Sequence, residues 1–328
     1  PQIGWTPSSS RPVPVVEGGA LSPDDQADAA QDAEALSVFH SKDAFPWKTI
    51  AFHGGEVAGI AARMAQTLGL SEPLQHALRL AGQWHDLGKA HPAFQGSIRL
   101  KARPERTDLA KAPNDAWSKK DRYRYTNDLE VRPGFRHELA SALALFAVLM
   151  RHQPDHPALM GPWGEALRAL EVDTRVEMPG PMAAPTPTEQ AILALDDRSF
   201  DLVAYLVASH HGKVRAGMHA APADQDYATA RGDARGLPIR GVREGDALPS
   251  TLLEPGLPPL PALSLTLEPA MVGLSLRTGA SWTERVQGLI ATYGPGGLAL
   301  LEACLRAADI RASRLNTSDP LLAVEERR

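Results

Sequence analysis

The residues with the most chemistry in them are five histidines and two aspartates: His53, the pair His85-Asp86, His137, the doublet His210-His211, and Asp309. None carries weight alone. With 11 histidines in 328 residues, chance supplies about 0.7 His-Asp dipeptides and about 0.4 His-His doublets. A lone histidine is more often a hydrogen-bonded core side chain than a ligand, and Asp309 has Arg311 and Arg314 close by to pair with. Taken together, however, each residue lies on or beside an otherwise apolar face, where a polar group without a partner is costly. Imidazoles with carboxylates suit transition metals, whereas Mg or Ca sites are built from oxygens. The expectation is two divalent ions drawn from Mn, Fe, Co or Ni, ahead of Zn or Mg.

Seven side chains suffice for two such ions with water completing each shell. His53, His85, Asp86 and Asp309 would hold one; His137, His210 and His211 would hold the other, with Asp86 bridging. Two divalent ions less two carboxylate charges leave a net charge of about +2, which attracts a phosphate. Such a pair can share a hydroxide nucleophile and stabilise the leaving oxygen. Lys89, just past the His-Asp turn, could neutralise a nonbridging phosphate oxygen.

Helices must position these groups. After His53, Val57, Ile60, Ala61, Met64, Ala65 and Leu68 recur at three- and four-residue steps until Gly69, an amphipathic helix with His53 in its first turn. Pro73 opens a second, with Leu74, Leu78, Ala81 and His85 on one face and Asp86 about 100° around the axis. His137 starts the most apolar helix of the chain. Phe200, Val203, Leu206, Val207 and His210 mark another, and Gly212 is placed to cap it. A last helix runs from about Pro295 or Leu298 to Ser313 with Asp309 near its end.

Between these, residues 96–136 form a basic excursion. Arg99, Lys101, Lys119, Lys120, Arg122 and Arg124 are candidate DNA contacts, interleaved with Trp117, Tyr123 and Tyr125 that could stack on bases; a solvated loop is the bland reading. Residues 154–187 are proline-rich with one short helix near Trp163 to Leu170. Residues 213–280 are rich in Gly and Pro, and alternation in Leu263, Leu265, Leu267 and Val272, Leu274, Leu276 predicts one small β-hairpin. The expected fold class is all-α: a tail with a short polar helix over 1–45, a domain over 46–316 and a C-terminal tail over 317–328. The start of the chain resembles a linker or the cut end of a longer protein.

Hydrophobic residues at 43% and charged residues at 22% fit a soluble globular chain. The single cysteine, Cys304, fits core packing and a reducing cytoplasm. No run reaches the ~18 uninterrupted apolar residues of a membrane span, so no membrane is expected. A net charge of −5 argues against coating nucleic acid through bulk charge.

The pattern of His53, His85-Asp86 and Asp309 resembles the signature of the HD superfamily of metal-dependent phosphohydrolases, which implies an all-α HD-domain core. His137 and Ser209-His210-His211-Gly212 resemble the dinuclear form found in the HD nuclease of type I CRISPR interference, where the HD part is a portion of a helicase-nuclease. Phe94-Gln95 and Ala308-Asp309 with Ala312-Ser313 extend the likeness. The Leu-Pro strings and Ser281-Trp282-Thr283-Glu284-Arg285 are most similar to subtype I-G, formerly I-U. The resemblance implies a single-stranded DNA nuclease, endonucleolytic and acting also from ends, that takes part in antiviral defence with a CRISPR RNA-guided surveillance complex. It also implies a helicase in the same or a separate chain, because no G-x-x-x-x-G-K-[ST] phosphate loop occurs in this sequence. The alternatives are an HD enzyme acting on nucleotides or cyclic nucleotides, and a binding module with a degenerate site.

Overall fold

The computed structural model describes residues 46–98, 103–113, 116, 132, 134–161, 163–171, 183–212, 214–220, 224 and 236–323. The architecture is helical, with two small two-stranded sheets among the described residues. Helix α1 (Ile50–Thr67) starts where Thr49 accepts a hydrogen bond from the Phe52 N–H. Helix α2 (Glu72–Trp84) starts at Ser71 with Pro73 in its first turn, where the missing proline N–H costs nothing. The amphipathic periodicity of both is therefore realised, and their apolar faces pack on each other.

Helix α2 stops sooner than the sequence pattern predicts. His85 caps it, Asp86 sits at φ −101°, ψ 4°, and Leu87–Ala90 form a 3-10 turn. The His-Asp pair thus lies in a turn rather than on one continuous helix face. Two glycines make the surroundings possible. A Cβ on Gly82 would stand 2.8 Å from the Ala58 Cα on α1, and one on Gly88 would stand 2.1 Å from the His137 carbonyl oxygen. Only a bare backbone lets α2 come so close to α1, and the 3-10 turn so close to His137.

Four further helices follow along the chain. These are α3 (Pro92–Gln95), α4 (His137–His152), α5 (Pro157–Met160) and α6 (Trp163–Ala169). Helix α7 (Pro187–Leu193) carries a Thr186/Glu189 capping box, and α8 (Asp197–Ser209) is capped by Asp196. Helix α4 packs on the 3-10 turn and on α8, while α8 also packs on α2. One continuous apolar core runs through Trp84, Leu87, Leu143, Phe146, Phe200, Leu206 and Leu305.

The last long helix, α9 (Trp282–Arg314), begins earlier than the sequence pattern indicates. It is broken at Gly294 (φ 69°, ψ 159°) before Pro295, so the expected helix is its second half. By length and mean hydropathy alone it could cross a membrane. Here its Leu298, Leu301, Leu305 and Ala308 are buried in the core. The Ser281 to Arg285 string is a structural knot. Ser281 caps the helix through the Glu284 N–H, and the Trp282 indole donates to the Arg215 carbonyl at 2.6 Å. Arg285 donates to Asp201 at 2.6 Å and to the carbonyls of Ala158, Thr278 and Ala280.

Other expectations need correction. Part of the basic excursion is strand β2 (Leu109–Lys111), antiparallel to β1 (Lys48–Thr49). The hairpin pairs β3 (Ala247–Leu248) with β4 (Leu263–Ser264). Val272, Leu274 and Leu276 stay exposed, because the turns at Gly273 and Gly279 break their alternation. Residues 317–328 are not all tail: Asp319 is buried, its Oδ2 accepts from the Thr49 N–H at 2.7 Å, and Pro320–Ala323 form helix α10. The helix expected within 1–45 lies outside the described residues.

Overpacking of this kind costs roughly 1–3 kcal/mol or more. Gly88→Ala should therefore lower the unfolding free energy by at least about 2 kcal/mol, read from the urea midpoint at constant m-value. A midpoint unchanged from the wild type contradicts the close approach of the turn to α4.

Candidate metal centre

Five elements deliver the seven side chains. His53 comes from the first turn of α1, His85 and Asp86 from the end of α2, His137 from the start of α4, His210 and His211 from the end of α8, and Asp309 from α9. All seven meet in the structure. Six of them gather as two triplets, His53, His85 and Asp86 in one and His137, His210 and His211 in the other, with ligand atoms within 4.8 Å of one another in each triplet.

In the first group, His53 Nε2 lies 2.9 Å from Asp309 Oδ1 and 3.7 Å from Asp86 Oδ2. His85 Nε2 lies 3.4 Å from the same Asp86 oxygen and 3.9 Å from Asp309 Oδ1. In the second, His211 Nε2 and His137 Nε2 face each other at 3.2 Å, and the His210 ring sits 4.1 Å from that of His211. The two carboxylate oxygens of Asp86 divide between the groups, because Oδ1 stands 3.3 Å from His137 Nε2.

The hydrogen bonds around the histidines test whether a metal fits. His85 Nδ1 is 2.8 Å from the Gly82 carbonyl and His210 Nδ1 is 2.7 Å from the Val207 carbonyl. Each must donate an N–H there, which leaves the lone pair of Nε2 pointing into the site. Those two Nε2 atoms and Asp86 Oδ1 are buried without a hydrogen-bond partner. Buried polar atoms rarely go unpaired, and these three, contributed by both groups, are lone-pair donors that a cation in each would satisfy.

Charge agrees with this. Burial alone pushes Asp86 up, but the nearby His85, Lys89 and His137 hold it well below the usual carboxylate range. Lys111 and His53 do the same for Asp309 against its burial. Burial, then Lys89, takes His137 down to about 4. Burial, then His85 and His137, takes His210 down to about 3. The acids are ionised and these imidazoles neutral, the forms that ligate.

Lys89 is buried, its ammonium 2.8 Å from Asp86 Oδ2 and 3.3 Å from the Ala110 carbonyl. It braces the carboxylate that faces both groups. Several supporting residues are not evident from sequence. Ser141 Oγ accepts from the Gly88 N–H at 2.7 Å and donates to the His85 carbonyl at 2.8 Å, which fixes the His-Asp turn to α4. Buried Glu138 has Oε2 at 3.6 Å from His137 Nδ1, placed to orient that ring. Lys111, in sequence only one charge in a basic run, has Nζ 3.3 Å from Asp309 Oδ1. A serine one turn into α4 and an acid next to a ligand histidine are faint signals; the position of Lys111 leaves none.

Arg99, Lys101, Lys119, Lys120, Arg122 and Arg124 lie outside the described residues. Two neighbours in the same run serve the fold: Arg103 donates to the Gln95 carbonyl at 2.6 Å, and Arg106 pairs with Asp108 at 2.7 Å.

The depressed histidines set a pH dependence. Their folded-state values lie below the ordinary 6.5, so the unfolded chain binds the proton first. Their stabilisation is complete above pH 6.5 and is lost as pH falls through about 4 for His137 and about 3 for His210. With metal chelated, unfolding free energy should decline below about pH 6.5 by up to about 1.4 kcal/mol per pH unit for each imidazole. His210→Asn, which cannot titrate, should flatten that slope. Equal slopes for variant and wild type contradict a neutral, buried His210.

Among known protein families, residues 29–252 match the family model described as Cas3, HD domain. The matched span contains every candidate ligand from His53 to His211 and ends before Asp309, which comes to the centre from α9. No curated protein and no solved structure matches the chain.

Proposed function

Because the chain belongs to the Cas3 HD-domain family, whose members are metal-dependent HD nucleases of CRISPR systems, we propose that it hydrolyses phosphodiester bonds of single-stranded DNA at a two-metal centre. The observation that carries this reading is the Asp86 carboxylate, one oxygen toward His53 and His85 and the other toward His137. One residue placed this way can be shared by two ions, as a phosphodiester-cleaving pair requires.

Bound divalent transition ions supply Lewis acidity, lowering the pKa of water and polarising phosphoryl oxygens. The chain's own residues do the rest. His53, His85 and Asp309 would hold one ion and His137, His210 and His211 the other, with Asp86 available to both. The 3-10 turn, pinned by Ser141, fixes the angle of the Asp86 side chain. Lys89 holds Asp86 Oδ2 and adds positive charge to a site that must attract a phosphate. Neutral His137 and His210 each leave a ring nitrogen free of its proton. Lys119, Lys120, Arg122 and Arg124 are the residues proposed to pair with phosphates of the strand. A helicase, in the same or another chain, supplies the strand in cooperation with an RNA-guided surveillance complex. The I-G type of system is the one proposed, on the Ser281 to Arg285 string.

Purified protein should nick circular single-stranded DNA with Mn, Co or Ni, and lose that activity with chelator and in Asp86→Ala by at least about a hundredfold. Hydrolysis confined to nucleotides or cyclic nucleotides contradicts the substrate, and cleavage retained in Asp86→Ala contradicts the site. Neutralising the four basic residues should reduce the slope of log K against log salt for an oligothymidylate by about 0.7 for each phosphate left without its cation. An unchanged slope removes that segment from the interface.

A further inference from the structure

His53 differs from two of its fellow ligands in which ring nitrogen carries the hydrogen. His85 and His210 donate from Nδ1 to main-chain carbonyls, which leaves Nε2 as a lone pair aimed into the site. In His53 the order is reversed. Its Nε2 stands 2.9 Å from Asp309 Oδ1, a distance that two acceptors cannot share, so Nε2 donates to the ionised carboxylate. Burial, then Lys111, lowers the ring below the ordinary 6.5, so it carries one hydrogen and Nδ1 has none. That Nδ1 atom is buried without a hydrogen-bond partner among the described residues.

A ring in this form cannot ligate through the nitrogen that faces Asp309 and Asp86, because a ligand nitrogen needs its lone pair. The hydrogen must first sit on Nδ1, and a buried N–H there needs an acceptor. Glu56 is placed to be that acceptor. It lies three residues on in α1, where side chains share a face, and its Oε2 is 3.9 Å from His53 Nδ1. The gap is what two acceptors keep when neither carries a hydrogen, and a movement of about 1 Å closes it to hydrogen-bond length. The carboxylate is held from behind: Lys48 donates to Oε2 at 2.7 Å and the Thr317 hydroxyl donates to Oε1. Lys48 is fixed in turn by the carbonyls of Ala312 and Leu315.

We propose that Glu56 is a positioning residue for metal loading: the neutral His53 ring exchanges its Nε2 hydrogen for one on Nδ1, which Glu56 accepts, and Nε2 turns from a donor to Asp309 into a metal ligand. This rests on the two-metal reading given above. One hydrogen leaves the ring and one joins it, so its charge is unchanged. The Nδ1–H bond to Oε2 takes over from the Nε2–H bond to Oδ1, and an anion behind the ring strengthens Nε2 as a donor to metal. Glu138 stands in a similar relation to His137, 3.6 Å from its Nδ1. Each half of the centre thus has one histidine backed by a glutamate.

The test compares Glu56→Leu, Glu56→Gln and wild type as the full chain. Long-range 1H–15N spectra of the imidazoles, with His53 identified by its loss in His53→Asn, should place the hydrogen on Nε2 in the metal-free protein. With Zn2+ added as a diamagnetic probe it should be on Nδ1. A metal-free His53 that carries its hydrogen on Nδ1, or a Zn2+-loaded one that keeps it on Nε2, overturns the proposal. Calorimetry should give two Mn2+ sites in wild type. In Glu56→Leu one of them should weaken by about 10–100-fold while the other stays within about twofold. Glu56→Gln, which retains an acceptor oxygen, should lose less than about tenfold. A glutamate that serves only the fold would lower the urea midpoint of the metal-free protein and leave Mn2+ affinity alone, so equal affinities in wild type and folded Glu56→Leu also overturn the proposal. If Glu56→Leu fails to fold, the two wild-type spectra decide. Wild type that binds no Mn2+ sinks the two-metal reading first; two wild-type sites that the Glu56 variants do not alter leave that reading standing.

Discussion

The Asp86 carboxylate is the constraint to which the rest of the molecule answers. It is 1% exposed, carries a full negative charge, and has histidines on both sides and a lysine on one oxygen. Burying such a charge costs several kcal/mol unless it is compensated from more than one direction. The fold supplies that compensation from separate parts of the sequence: His85 beside it, Lys89 one turn on, His137 from α4, and His53 from α1. Remove any of these helices and the buried charge is left undercompensated.

Bringing those helices close enough explains features that look unrelated in sequence. Gly82 lets α2 approach α1, and Gly88 lets the His-Asp turn approach α4. Ser141 then joins turn to helix with two hydrogen bonds. On the other side, Lys48 donates to Glu56 and to the carbonyls of Ala312 and Leu315. Those bonds tie the chain before α1 to the end of α9 and so hold Asp309 opposite His53. Helix α9 is anchored at its other end by Arg285, whose guanidinium gathers a carboxylate and backbone carbonyls from distant segments. Several independent contacts thus hold each side of the site.

Much of this is legible in the sequence where one strong local rule applies. Three- and four-residue apolar spacing marks α1, α2, α4 and α8, and residue chemistry marks the seven candidate ligands. What escapes is decided by tertiary contact. The end of α2 at Trp84 depends on Asp86 being needed in a turn. The hairpin partner of Leu263 is Ala247–Leu248 rather than the alternating 272–276 stretch, because alternation says nothing about which segment is opposite. Lys111 reads as one more charge of a basic run, since only the β1–β2 register sends it to Asp309. The first half of α9 is hidden by Gly294 and Pro295, which interrupt the periodicity but not the packing.

The central claim is that Asp86 is shared by two ions. Crystals of the protein grown with Mn2+ and measured at the manganese absorption edge test it most directly. Two anomalous peaks should flank the Asp86 carboxylate, one among His53, His85 and Asp309 and the other among His137, His210 and His211. A single peak, or two that do not both touch Asp86, contradicts it.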